Sequence, residues 1–258
     1  MPPNLTRLLI LTVALCLAAV AGVAGPPATH PIFAERAKDQ FLKAQMQFQS
    51  DPHNPTNAWW FARATFDNCE FATNETQHAD LARLGIAACR EFITREPRSA
   101  PAHYYLAMNL GELAQAEAPS LAAYRLVHEV EHEFKTAAEL DVHFDHAGPA
   151  RTLGELYFQA PGWPLSVGSK HKAHEWLERA ATLAPDYPEN LLNLAEAQLK
   201  WRQLEACETT LKNLEARWPA ARTNYAGVTW EADWQDWNAR RAALQAEFQK
   251  VHRHAPGL

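Results

Sequence analysis

The element His128-Glu-Val-Glu-His132 contains residue types that could hold and use a metal ion. On a helix, two histidines four residues apart lie on one face, so His128 and His132 could bind zinc while Glu129 acts as a general base. His143 and His146 follow closely and could supply a third ligand. The chain contains 12 histidines, so a chance match is not surprising, and the nearby acidic residues Glu131 and Glu133 indicate a solvated helix face. We therefore predict no catalytic residue and no cofactor, and we keep a zinc hydrolase as the third of three hypotheses.

The segment Pro161-Gly-Trp-Pro-Leu-Ser-Val-Gly168 is a candidate for binding. Loops that carry tryptophan and glycine on a rigid scaffold are common recognition sites, so we assign Trp163 and Ser166 to a binding surface. In the alternative, Trp163 and Leu165 fold back to close a helical hairpin while Ser169 caps the next helix. Both interpretations remain open. Ser166 is not predicted to be a nucleophile, because no histidine and acid partner can be placed beside it.

Helical hairpins are the elements that must position these residues. Pro185 and Pro219 lie 34 residues apart, which is the period of a tetratricopeptide repeat. The pair Leu153-Gly154, with Tyr157 three residues later, sets a large residue beside a small one and so lets the paired helix approach closely. Abundant helix-forming residues agree with this pattern. The sequence predicts an all-α fold, a tetratricopeptide-like α-solenoid of stacked hairpins with a C-terminal capping helix.

The N-terminus resembles an export signal. Arg7 precedes an apolar run from Leu8 to Val20, and small residues suited to cleavage follow up to Ala24. The apolar run is shorter than the ~20 residues that a membrane-spanning helix needs. We predict that residues 1–24 are a cleaved signal peptide and that no stable membrane span remains; an uncleaved anchor is the alternative.

The rest of the chain divides into three predicted parts. Residues 25–33 form a linker, residues 34–218 form the helical-repeat domain, and residues 219–258 form a capping helix. A terminal repeat must cover the exposed end of the stack, and a tryptophan stripe suits that role. The stripe consists of Trp230, Trp234 and Trp237.

Three cysteines follow the predicted signal. Cys69 and Cys89 are placed on the two arms of one hairpin, at different distances from its turn. Helical rise then separates them by ~13 Å, which is too far for a disulfide. We expect Cys69, Cys89 and Cys207 to be free, small, buried apolar residues.

Four distinctive motifs lie near the centre of the chain: Asp145-His-Ala-Gly-Pro149, Leu153-Gly154-x-x-Tyr157, Ala160-Pro-Gly-Trp-Pro-x-Ser166-x-Gly168 and Leu183-Ala-Pro-Asp-Tyr-Pro-Glu-Asn190. Together they resemble one family, the TatT-type tetratricopeptide proteins associated with tripartite ATP-independent periplasmic (TRAP) transporters. The resemblance implies an exported α-helical protein that contacts a periplasmic solute-binding subunit or a small ligand. The chain departs from the lipoprotein form of that family, because Leu15 precedes the only candidate lipidation residue, Cys16.

The repeat register also predicts a concave groove. First-helix positions next to the large and small pair line such a groove, and here they mix apolar and charged groups, which suits a peptide or small amphipathic ligand. Arg151 could bind an anion or pair with Glu155 one turn on. The predicted groove residues are Tyr104, Met108, Arg151, Glu155, Phe158, Leu192, Glu196 and Leu199.

The net charge of the chain argues against one class of function. A formal net charge of −6 argues against a nucleic-acid binder, because phosphate binding needs a basic surface. We expect a protein without catalytic activity in the periplasm or cell envelope of a bacterium. The first hypothesis is an accessory of solute uptake that uses the groove and the 160–169 loop, and the second is a general envelope scaffold for other proteins.

Overall fold

The computed structural model describes residues 31–118 and 120–253. These residues contain ten α-helices and one short 3-10 helix, with no strand beyond a single isolated bridge. The all-α prediction is confirmed. The predicted signal peptide and most of the predicted linker lie outside the described residues. The helices are α1 (Pro31–Ser50), α2 (Pro55–Cys69), α3 (Glu75–Ile93), α4 (Ala100–Ala116), α5 (Leu121–Leu140), α6 (Phe144–Gln159), α7 (Lys170–Leu183), α8 (Pro188–Lys200), α9 (Leu204–Asn224) and α10 (Glu231–Arg253).

Side-chain caps fix where several helices begin. The first N–H groups of a helix have no partner within the helix, and a side-chain oxygen just before it can accept from one of them. Four helices begin in this way: α2, α3, α5 and α7. Their capping residues are Asn54, Asn74, Ser120 and Ser169.

The chain forms two compact units. The N-terminal unit contains α1 to α5 together with residues 159–168. The C-terminal unit contains residues 143–158 and 169–253, and so includes α6 to α10. Within each unit, helices that are neighbours in sequence make most of the contacts, as expected for a helical-repeat protein.

In the N-terminal unit, α2, α3 and α4 meet at a buried polar contact. Thr65 Oγ1 donates to Asn109 Oδ1 at 2.9 Å, and Asn109 Nδ2 donates to the Ala62 carbonyl at 2.8 Å. Gly85 of α3 lies directly against this pair, where an added Cβ would overlap both side chains. The close approach of the three helices therefore requires glycine at position 85.

In the C-terminal unit, the pair Leu153-Gly154 acts as its sequence predicts. A Cβ on Gly154 would lie 2.7 Å from Leu177 Cδ2 and 3.0 Å from the Leu177 backbone nitrogen. Leu153 itself is fully buried. The small residue allows α6 to pack closely on α7.

The predicted tryptophan stripe lies in the core of the C-terminal unit. Trp237 meets Tyr187 edge-on with ring centroids 5.3 Å apart, and Trp234 meets Trp218 in the same way at 5.3 Å. The capping helix, however, begins at Glu231 and not at Pro219, because Pro219 lies inside α9. Burial of Trp218 and Ala221 on either side holds that helix together despite the hydrogen bond that proline removes.

Two further sequence predictions concern cysteines and membranes. Cys69, Cys89 and Cys207 are free and buried, as expected. Among residues 31–118 and 120–253, no helix has the length and apolar character that crossing a membrane requires.

Candidate functional site

A left-handed turn opens α6. Asp145, His146 and Ala147 have φ angles of 52°, 56° and 64°, and regular helix follows them. Left-handed backbone costs roughly 1–2 kcal/mol for each residue that carries a Cβ, so three in succession need compensation. The carbonyl oxygens of Asp145 and His146 accept hydrogen bonds from Arg151 Nη1 at 3.3 and 3.2 Å. The Arg151 guanidinium therefore stabilises the turn.

Asn190 of α8 holds the same turn from the other side. Its Nδ2 donates to the His146 carbonyl at 3.0 Å and to the Ala184 carbonyl at 2.9 Å, while its Oδ1 accepts from Arg151 Nη1 at 3.3 Å. Asn190 is fully buried, so these bonds replace those it would make to water. One asparagine thus links the turn to the end of α7 and the start of α8.

Arg151 is buried and is already engaged by carboxylates. Its Nη2 lies 3.2 Å from Asp145 Oδ2, and its Nε lies 3.6 Å from Glu189 Oε2. The guanidinium also lies over the Tyr187 ring at 4.9 Å. The sequence predicts either anion binding or a pair with Glu155 for Arg151. In the structure Arg151 pairs with Asp145 and Glu189, and the residue has no exposed surface.

Arg240 of α10 is a second arginine that is held by carboxylates. Its Nε and Nη2 bind the two carboxylate oxygens of Glu196 at 2.9 and 2.8 Å, and Nη2 also donates to Asn193 Oδ1. Asp236, one turn earlier on the same helix, lies 3.5 Å from Nη1. A two-pronged arginine–carboxylate pair has a fixed geometry, so it fixes α10 against α8.

These groups form what we call the buried charged cluster: Asp145, Arg151, Glu155, Glu189, Glu196 and Arg240. Four carboxyl groups share two guanidinium groups in a site largely shielded from water. Burial, with Glu189 nearby, raises the pKa of Glu155 to about 8. Burial raises the pKa of Glu189 to about 7, although Arg151 and Arg240 oppose it. The cluster can therefore bind and release protons near neutral pH.

His146, proposed from sequence as a third zinc ligand, is part of an aromatic stack. Its ring lies parallel to Tyr187 with centroids 4.7 Å apart. Burial lowers the pKa of His146, and Arg151 adds to this effect while Asp145 opposes it. The imidazole is therefore neutral at physiological pH.

The H-E-x-x-H element forms no metal group with a third donor within the described residues. His128 and His132 are exposed on α5. Glu129, the proposed base, accepts a 2.6 Å hydrogen bond from Arg90 of α3. The element is therefore a solvated helix face.

The predicted groove residues are less accessible than the repeat register suggests. Tyr104 and Met108 lie in the N-terminal unit and Leu192 in the C-terminal unit, and none is more than 1% exposed. This burial corrects the expectation that they line an open groove, because their side chains pack in the cores. Arg151 and Glu155 belong to the buried charged cluster, and Leu199 is also buried. Phe158 and Glu196 keep part of their surface exposed.

The loop at residues 161–168 is more exposed than the predicted groove residues. Trp163 is 89% exposed and Leu165 58%, so these two side chains do not fold back onto the hairpin. Ser166 is buried. Ser169 caps α7, which agrees with the alternative interpretation, in which this loop closes the hairpin.

The backbone of this loop is braced internally. The Gly168 N–H donates to the Pro161 carbonyl at 2.9 Å, and the Leu165 N–H donates to the Gly162 carbonyl at 3.0 Å. A Cβ on Gly168 would overlap the Ala160 carbonyl, so this closure requires glycine. The loop is thus a closed turn that presents Trp163 to solvent.

Comparisons with known proteins support the fold. Residues 32–146, which are less than half of the chain, match the family described as Regulator of microtubule dynamics protein 1-3. The chain is similar in structure to a thermophilic TPR protein from Thermus thermophilus, with a TM-score of 0.61 and 16% identity over 82% of this chain and 92% of that chain. Among curated proteins, none matches at a significant level. The fold is tetratricopeptide-like. At this identity the likeness establishes the fold alone.

Proposed function

We propose that the chain is an exported helical-repeat binding protein without catalytic activity, and that it contacts a protein partner through the loop at residues 161–168. The observation that carries this proposal is the 89% exposure of Trp163 on a loop with a braced backbone. Large aromatic side chains dominate the energy of protein interfaces, and a rigid loop loses little entropy when it binds. Leu165 extends the apolar surface beside the indole.

The partner that we propose is a periplasmic solute-binding subunit. Two features of the sequence support this proposal: the signal-like segment at residues 1–24 and the central motifs that resemble TatT-type proteins. The tetratricopeptide-like fold supports partner binding in general, since such repeats present surfaces for other proteins. A general envelope scaffold is the alternative, and it would use the same loop.

Site-specific photo-crosslinking in the native host tests the proposal. A crosslinking amino acid at position 163 should form an adduct with one protein, which mass spectrometry then identifies. Leu121 is a matched control, because it is also an apolar residue and is 81% exposed. An adduct with a solute-binding subunit supports the uptake role, and one with another envelope protein supports the scaffold. Equal labelling from positions 163 and 121 would contradict the proposed surface.

The same surface predicts a binding defect without a folding defect. We expect Trp163→Ala to weaken affinity for the crosslinked partner by roughly 30-fold, which corresponds to the ~2 kcal/mol of an interface hot spot. Because the indole is exposed, the melting temperature should not change. Leu121→Ala should alter neither quantity. Binding measured by calorimetry, alongside thermal unfolding followed by circular dichroism, separates the two effects.

A further inference from the structure

Three helices of the N-terminal unit bring a thiol, an imidazole and a carboxylate together. Cys69 ends α2, His78 lies in the first turn of α3, and Glu112 lies in α4. One donor atom from each side chain lies within 4.8 Å of the other two. His78 Nε2 is 2.6 Å from Glu112 Oε2, and Cys69 Sγ donates weakly to the His78 carbonyl at 3.8 Å.

We propose that Cys69, His78 and Glu112 form a zinc-binding site. Thiolate, imidazole and carboxylate are the ligands that Zn²⁺ takes in proteins, and harder cations such as Mg²⁺ and Ca²⁺ select oxygen ligands instead. This site is separate from the H-E-x-x-H element on α5 and from the buried charged cluster. It also needs no catalytic activity, so it is compatible with a binding protein.

The geometry needs only a small adjustment to hold the ion. Zinc–ligand bonds of about 2.0–2.3 Å in a tetrahedron place neighbouring ligand atoms roughly 3.3–3.7 Å apart. His78 and Glu112 would separate slightly from their direct 2.6 Å contact, and the thiolate, which lies within 4.8 Å of both, would move inward. The His78 and Glu112 side chains are 12% and 14% exposed, so a water molecule can reach the fourth position.

The surroundings favour a cation. Glu75 lies near the imidazole and adds negative charge to that of Glu112, whereas the charge of Asp67, near the thiol, is partly offset by Arg63. Arg63 Nε lies 3.5 Å from Asp67 Oδ2, four residues along α2. A divalent ion at the three donors would be attracted by these carboxylates and would tie α2, α3 and α4 together.

The same unit contains a second set of cysteine, histidine and glutamate, with each residue one helix later than in the proposed site. Cys89, His103 and Glu133 repeat the three residue types on α3, α4 and α5, and His103 Nδ1 lies 2.5 Å from Glu133 Oε2. In this second set, however, His103 Nε2 is also 2.9 Å from the Pro97 carbonyl, so both ring nitrogens are engaged. Within the described residues, these three do not form a metal group. They therefore provide matched controls.

The test uses the full chain after treatment with a chelator. We expect it to bind one Zn²⁺ in competition with a chromophoric chelator and to melt at a higher temperature when zinc is present. Co²⁺ in place of zinc should give the near-ultraviolet absorption of a single thiolate–cobalt bond. This spectrum needs no variant, so it reports on the site even if a substitution disturbs folding. No thiolate–cobalt absorption from the wild-type chain would overturn the proposal.

Variants then assign the ligands. Cys69→Ala should abolish the cobalt–thiolate band. His78→Gln and Glu112→Gln should each weaken zinc binding by at least about 10-fold, because losing a direct ligand costs no less than losing one of the outer-shell partners, for which about 10- to 100-fold is typical. Cys89→Ala and His103→Gln should leave both signals unchanged. A band that survives Cys69→Ala, or that disappears equally in Cys89→Ala, would show that this site is not the one occupied.

Discussion

At the level of single residues, the buried charged cluster makes the stability of the chain depend on pH. The pKa of Glu155 is about 8 in the folded state, above the ordinary value of 4.5. Between these two values the folded state binds more protons than the unfolded state, so the free energy of unfolding decreases as pH rises. Glu189 contributes in the same direction over a narrower window, up to about pH 7. The cluster therefore stabilises the fold less at alkaline than at acidic pH.

Glu155→Gln should remove much of this dependence. Glutamine has nearly the shape of the protonated glutamate and cannot ionise, so the variant should resemble the wild type near pH 5. At pH 8.5 we expect its melting temperature to be higher by roughly 3 °C or more, since 1 kcal/mol corresponds to about 2–4 °C in a chain of this size. Thermal unfolding across this pH range provides the measurement.

The exposed Glu175→Gln is the control for this experiment. It removes one carboxylate from the surface of α7 without touching the cluster, and its melting temperature should follow the wild type at every pH. If Glu155→Gln and the wild type lose stability in parallel between pH 5 and 8.5, Glu155 does not carry the extra proton.

Sequence reasoning found several members of the cluster without finding the cluster itself. Repeat register selected Arg151, Glu155 and Glu196, because it shows which residues share a helix face. It could not show how deeply that face is buried, or that Arg240 would reach it from α10. Those facts depend on packing between helices distant in sequence, for which periodicity gives no distance.

At the level of elements, the contact between α6 and α7 depends on the absence of a side chain at position 154. Gly154→Ala gains about 1 kcal/mol of helix propensity, but its methyl group would overlap Leu177, including the backbone nitrogen at 3.0 Å. We expect a net loss of about 1–3 kcal/mol, typical of overpacking. Chemical denaturation measures this loss directly.

A double-mutant cycle with Leu177→Ala tests the cause. If the methyl group clashes with the leucine, Gly154→Ala should cost less, or even stabilise, once the leucine is truncated. The same cost in both backgrounds would place the strain elsewhere in the helix.

The elements also show which local signals can be read from sequence. The pair Leu153-Gly154 and the cap at Ser169 were predictable, because close packing and capping need particular residue types. The end of α9 was not, since Pro219 usually marks a boundary and here lies within a helix. The turn at Asp145, His146 and Ala147 was also missed, because residues that carry a Cβ adopt this backbone only when distant groups such as Asn190 stabilise it.

At the level of the whole molecule, a destabilising substitution in a helical-repeat chain should weaken mainly the helices around it. In such proteins each helix depends mainly on its neighbours, and no single core spans the chain. The two units each bury a large aromatic side chain completely: Phe134 in α5 packs beside Tyr104, and Trp237 in α10 packs against Tyr187. Truncating either one should create a cavity and cost about 3–5 kcal/mol.

Hydrogen exchange followed by mass spectrometry can show where that loss falls. We expect Trp237→Ala to accelerate exchange in α8, α9 and α10 while α2 and α3 keep their wild-type protection, and Phe134→Ala to do the reverse. Each variant is the control for the other, because both remove a fully buried aromatic ring. Uniform acceleration through the chain in both variants would mean that it unfolds as one cooperative body. Separate responses would mean that the two units unfold independently. A bound partner should then slow exchange mainly in the unit that it contacts, so exchange would locate the binding surface before the partner is identified.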